Sequence, residues 1–179
     1  MKTDELKLLD KAHKGNEQSI SLLFNAYNKT AFNISYRILH RADLAEDIVI
    51  DCFMKLIQND FHIDTSLSAY FYRSVVNASL NELKKIQRES VSYNEFNYDK
   101  IEGETPEEIT EKKIIIDKIK QAIKELPENQ RIAFTLIKYE NMSYKEAGEI
   151  MNTTVKSLEG LVARAKATLK EKLKDLYEN

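Results

Sequence analysis

Tryptophan is absent, cysteine occurs once, and 179 residues include only four glycines and two prolines. Each scarcity excludes something. Cys52 has no partner for an internal disulfide, and one thiol with three histidines supplies no zinc-ligand set, so a reducing cytosol fits and neither metal nor cofactor is expected. With so few glycines and prolines, little is left for the tight turns that join short strands, while Leu, Ile, Lys, Glu and Ala recur throughout. Long apolar runs are missing too. The opening MKTDELKLLDKAHKG carries a charge every few residues, so neither a signal peptide nor membrane insertion is expected. The composition points to an all-α protein.

A basic surplus is also lacking. The net charge is −2, but residues 1–88 hold 12 basic and 11 acidic side chains, 89–111 hold 1 and 8, and 112–179 hold 14 and 10. A free-standing DNA binder usually shows a clear basic excess, because phosphate neutralisation supplies most non-specific affinity. Any contact with DNA would therefore need help from a partner.

What the chain has is helical periodicity, in two blocks. The first predicts helices near 4–14, 17–40 (with a potential break around Asn28), 43–58 and 67–88, none long enough to be stable alone, so their apolar stripes must face one another. Residues 89–111 lose the periodicity and gain the acidic excess together with Gly103 and Pro106, as a linker would. Periodicity resumes at about Ile109 and runs to Leu176, broken at Leu126-Pro127, Asn141-Met142 and Asn152-Thr153. Pro127 suits a first helical turn, Ser143 and Glu146 form a capping box, and Thr153 or Thr154 can cap the last helix. The expected architecture is two small helical domains, 1–90 and 112–179, joined by an acidic linker, 91–111.

Ser143 to Lys166 reads as helix-turn-helix: a short capped helix, a polar turn, then a longer helix. In the longer one Val155, Leu158, Val162, Ala165, Leu169 and Leu173 make the core stripe, opposite Lys156, Glu159, Gly160, Ala163, Lys166, Ala167 and Lys170. That opposite face is small and basic enough for a major groove, although a solvated face on an ordinary hairpin would look the same.

A second signal lies in the 67–88 helix. Tyr72, Val76, Leu80 and Leu83 share one stripe, and Arg73, Asn77, Asn81, Lys84 or Lys85, and Arg88 share its neighbour, a row of amides and cations with no carboxylate. Such a row suits base edges and phosphates, and Tyr70, Phe71 and Tyr72 could stack on unpaired bases, with core packing expected for at least one of them. The 43–58 helix is opposite in character. Leu44, Ile48, Val49, Cys52, Phe53 and Leu56 form its apolar face, and Ile50 and Met54 are stranded among Glu46, Asp47 and Asp51, as a face docking on a basic protein surface with an apolar centre would be. Scattered exposed apolar side chains are common, and that reading stays open.

Taken together, LAEDIVIDCFMKLI (44–57), SAYFYRSVVNASLNELKKIQR (68–88) and LPENQRIAFTLIKYENMSYKEAGEIMNTTVKSLEGLVARAKATL (126–169) resemble, in order, three motifs of the bacterial RNA polymerase sigma factors of the sigma-70 family, extracytoplasmic-function subfamily. The resemblance implies a cytoplasmic, non-catalytic transcription initiation factor whose partners are core RNA polymerase and promoter DNA, and often an inhibitory anti-sigma factor. It implies polymerase contacts at Glu46, Asp47, Ile50, Asp51 and Met54. Minus-ten DNA would fall to Tyr70, Tyr72, Arg73, Asn77, Asn81, Lys84, Lys85 and Arg88. Minus-thirty-five DNA would fall to Ser143, Tyr144, Thr154, Lys156, Ser157, Glu159, Gly160, Ala163, Arg164 and Lys166. No catalytic set competes with this reading, since His13, His40 and His62 are scattered and no nucleophile stands beside them. The rivals are a helix-turn-helix regulator that needs no polymerase and a helical adaptor that binds only protein. Neither uses both the acidic helix and the carboxylate-free row.

Overall fold

The computed structural model describes residues 2–59, 63, 65–90 and 109–176, so most of the expected linker lies outside the described residues. Among them are eight α-helices and no strand: α1 (Lys2–His13), α2 (Glu17–Leu39), α3 (Ala42–Gln58), α4 (Leu67–Ser90), α5 (Ile109–Lys124), α6 (Glu128–Phe134), α7 (Tyr144–Met151) and α8 (Val155–Lys172). The first four make one module and the last four another.

Local chemistry sets the boundaries. Gly15 adopts φ +81°, which an L side chain rarely tolerates, and the Asn16 side chain then accepts from Ser19 N at 2.8 Å to start α2. Helix α2 runs through Asn28 without a break and ends at His40, itself left-handed at φ 55°, whose N–H reaches the Tyr36 carbonyl. Pro127 stands at the cap of α6, one residue ahead of the first turn expected for it. Ser143 and Glu146 make the capping box, and Thr154, rather than Thr153, caps α8 through Ser157 N.

The core of the first module is aromatic. Phe71 and Tyr72 of α4 pack with Tyr27 of α2 and Phe53 of α3, the Tyr27 and Tyr72 rings meeting edge to face at 5.9 Å. Helices α2 and α4 approach closely through small residues, where the buried Ser79 hydroxyl bonds Ser35 Oγ at 2.9 Å and the Val75 carbonyl at 2.8 Å. His13 Nε2 bonds the Leu56 carbonyl at 3.0 Å and ties α1 to α3. In the second module Ala122, Leu126, Ala165 and Leu169 lock α5 to α8, and the buried Arg131 donates to the carbonyl of Lys124, closing the end of α5.

One element has no counterpart in the periodicity. From Thr135 to Tyr139 the chain winds as a π-helix, with Glu140 N bonding the Thr135 carbonyl at 3.1 Å. The two modules also share a single apolar cluster: Ile132, Leu136, Ala147, Ile150, Leu158 and Val162 join the core that contains Leu23, Ile34, Phe53 and Phe71. Separate modules on a tether would not have required that.

Candidate nucleic-acid interface

Helix α7 and helix α8 form the helix-turn-helix. Asn152 is left-handed at φ 49°, its neighbour Thr153 bonds back to the Gly148 carbonyl at 2.9 Å, and a Cβ on Gly148 would sit 3.0 Å from the Thr153 carbonyl oxygen. Glycine thus lets the turn fold tightly against α7. Leu158, Val162, Ala165 and Leu169 are buried as expected, whereas Val155 is exposed at the helix start and drops out of the core stripe. Lys156, Ser157, Glu159, Ala163, Arg164 and Lys166 are exposed on the other side, with Gly160 partly covered and the Arg164 guanidinium lying over it. Ser143 and Thr154 spend their hydroxyls on caps, so their part is to position α7 and α8; Tyr144 is half-buried against the core.

On α4 the row holds in part. Asn77, Asn81, Lys84, Lys85 and Arg88 are exposed. Arg73 is half-buried and aims its guanidinium at the second module, with Nε and Nη2 at 3.2 and 2.5 Å from the Glu149 carbonyl oxygen. Lys85 lies 3.6 Å from Glu82, so the row does have a carboxylate beside it. Tyr72 needs correcting outright: it is 8 % exposed, inside the aromatic core, where burial pushes its hydroxyl's pKa up, and it presents no face to a base. Phe71 is core as well, and of the three aromatics only Tyr70 is half-buried at the surface. Of the 59–68 loop, residues 60–62 and 64 lie outside the described residues, His62 among them.

On α3 the separation is clear. Ala45, Val49, Cys52, Phe53 and Leu56 are buried, Glu46, Asp47 and Asp51 are exposed, and between them Ile50 and Met54 are 50 % and 46 % exposed.

Sequence reasoning missed the residues that join the modules. Thr65 Oγ1 donates to Glu149 Oε2 at 2.9 Å, and Ser66 Oγ lies 3.5 Å from the same oxygen. Arg37 of α2 sits 3.7 Å from the Glu140 carboxylate and stacks on the Tyr139 ring, and Lys84 lies 3.8 Å from Glu128. Burial raises the Glu140 pKa, with Asn33 and Arg37 opposing it, and His40 is pushed down by burial and by Arg131, Lys124, Arg37 and Lys120. Among the described residues no His, Cys, Asp and Glu group could hold a metal, and no helix is long and apolar enough to cross a membrane.

An all-helical protein of two modules, the second built on a helix-turn-helix, is what these features define. Two family descriptions match it: Sigma-70 region 2 over residues 23–89 and Sigma-70 region 4 over residues 116–169. The chain belongs to the sigma-70 family. It is 24 % identical to the RNA polymerase sigma-H factor of Pseudomonas aeruginosa, over 95 % of this chain and 94 % of that one. It is 25 % identical to the ECF RNA polymerase sigma factor SigW of Bacillus subtilis, over 95 % and 97 %. Its fold is similar to that of the sigma factor RpoE of Bartonella quintana, solved in complex with the anti-sigma factor NepR, with a TM-score of 0.61 at 24 % identity, covering 90 % of this chain and 98 % of that one.

Proposed function

We propose that this chain is an extracytoplasmic-function sigma factor, a cytoplasmic, non-catalytic subunit that brings RNA polymerase to specific promoters and helps open them. The observation that carries the reading is the row of Asn77, Asn81, Lys84, Lys85 and Arg88 exposed along α4, in a chain of the sigma-70 family. Residues 1–90 act as the polymerase-binding and minus-ten module, 91–111 as the acidic connection, and 112–179 as the minus-thirty-five module.

Ile50 and Met54 dock on the polymerase, with Glu46, Asp47 and Asp51 meeting its basic surface. On α4, Asn77 and Asn81 hold base edges, Lys84, Lys85 and Arg88 track phosphates, and Tyr70 stacks. Arg73 joins them once released from Glu149. Tyr72 has no such role. Helix α8 enters the major groove with Lys156, Ser157, Glu159, Gly160, Ala163, Arg164 and Lys166, and a carboxylate at Glu159 can accept from a cytosine amino group.

Opening DNA costs about 1.4 kcal/mol per stacked step. A few Asn and Tyr contacts cannot supply several such steps, so polymerase shares the work and the module captures a flipped base beside the 59–68 loop. A gel shift with and without core polymerase tests the reading. Promoter binding only with core supports it, binding without core would identify a free-standing regulator, and no binding in either case an adaptor. An anti-sigma factor is a further expected partner, as one is for the Bartonella quintana protein.

A further inference from the structure

Three side-chain nitrogens are buried without a hydrogen-bond acceptor among the described residues: Arg37 Nε and His40 Nε2 at the end of α2, and Arg131 Nε in α6. Buried polar groups seldom go unmatched, and an ion is one of the few partners that serves several donors at once. Arg131 is only 8 % exposed, and its Nη1 donates to the Lys124 carbonyl at 3.1 Å, which fixes the plane of the guanidinium. Arg37 has a carboxylate in view, but Glu140 stands 3.7 Å from Nε, too far for a hydrogen bond.

The field at His40 has one sign. Burial lowers its pKa, and so do Arg131, Lys124, Arg37 and Lys120, with no carboxylate of the described residues among the charges acting on it. Those cations come from α2, α5 and α6, so the tertiary fold gathers them and no single helix face does. The carboxylates of the neighbourhood are each matched with a cation: Glu140 with Arg37, Asp117 at 3.9 Å from Lys120, and Glu128, which also acts on Arg131, at 3.8 Å from Lys84. A positive surplus is left over.

We propose that this junction is a binding site for one small tetrahedral oxyanion of the phosphate type, free or as the terminal group of a phosphate monoester. Arg131 Nε and His40 Nε2 donate to its oxygens, Arg37 adds a third donor, and Lys120 and Lys124 supply charge from the rim. Side chains already held in place lose little freedom on binding. A compact ion reaches donors on a buried arginine, whereas a nucleic-acid backbone lying on the surface does not. Because the donors come from both modules, occupancy stabilises their junction as the anion's concentration rises.

The test follows the imidazole signals of the full-length chain by heteronuclear NMR during titration with inorganic phosphate and, separately, adenosine monophosphate, with chloride holding the ionic strength constant. The chain has three histidines, and His40→Asn, which tolerates the left-handed backbone there, assigns the His40 signal. That signal is expected to shift to saturation as for one site, and the melting temperature to rise over the same range. Saturation by inorganic phosphate assigns the site to the free ion, and saturation by the monoester alone assigns it to a terminal phosphate group. Arg131→Gln should weaken binding about tenfold, as loss of one charge-assisted hydrogen bond requires. Lys120→Gln, at an exposed position, should weaken it about threefold and covers the case in which the buried substitution prevents folding. A His40 signal that stays in place up to tens of millimolar, or drifts without saturating, overturns the site, as does unchanged affinity in the folded variants. A short single-stranded DNA that saturates the same signal as tightly as phosphate also overturns it, and gives these donors to the nucleic-acid backbone.

Discussion

Ser143 shows how much a single residue can declare in advance. Its hydroxyl accepts from Glu146 N at 3.2 Å, and Glu146 Oε2 accepts from Ser143 N at 2.9 Å, a reciprocal pair readable from the spacing because it involves only neighbours in the chain. Ser143→Ala is expected to cost about 1 kcal/mol in urea unfolding. The side-chain and backbone bonds from Ser143 hold the Glu146 carboxyl below its ordinary value of 4.5. Its contribution is therefore present above about pH 4.5 and fades as pH falls through the lower folded value, and Glu146→Gln should flatten that acid limb. Tyr72 shows the opposite. Its spacing placed it on a stripe, but an aromatic with a hydroxyl suits both a core and a base, and only Tyr27, Phe71 and Thr30 around it decide. At Asn77 and Asn81, both exposed, alanine should leave unfolding within about 0.5 kcal/mol of the unaltered chain. Open-complex formation on a cognate promoter should fall, and unchanged formation would remove both from the minus-ten set.

Helix α3 was legible as a whole element, because seventeen residues carry enough repeats to fix which face is apolar. Its stranded pair is the part with consequences. Ile50→Glu with Met54→Glu should abolish comigration with core polymerase in gel filtration and leave the melting temperature nearly unchanged, since both side chains are about half exposed. A comigrating double variant would move the docking face elsewhere. The π-helix at 135–139 was not legible. A π-turn differs from α by one residue in its hydrogen bonding, and no side-chain pattern in TLIKY marks that choice. Its effect appears only in three dimensions, where Tyr139 and Glu140 meet Arg37. Helix α2 likewise passed through Asn28, because burial of Tyr27, Ala31 and Ile34 on one face outweighs a weak helix former.

For the whole molecule, periodicity gave two helical modules but could not show them touching. Contacts such as Thr65 with Glu149 join residues 84 positions apart, and no local pattern encodes them. Charge behaves in the same way. His40 is kept neutral by burial and by Arg131, Lys124, Arg37 and Lys120, with Glu140 the carboxylate paired to Arg37 nearby. Its folded pKa lies below 6.5, so stability is complete above pH 6.5 and declines as pH falls from there toward the folded value. His40→Gln should remove that part of the decline, as followed by thermal melting between pH 7 and 5.5.

The exposure of Ile50 and Met54 has a cost that grows with concentration. Two apolar side chains ringed by the exposed Glu46, Asp47 and Asp51 are kept from their own copies by like charge, and dissolved ions weaken that restraint. Self-association of this chain should therefore first show in concentrated solutions at high ionic strength, and the same carboxylates that would greet a basic surface keep identical copies apart.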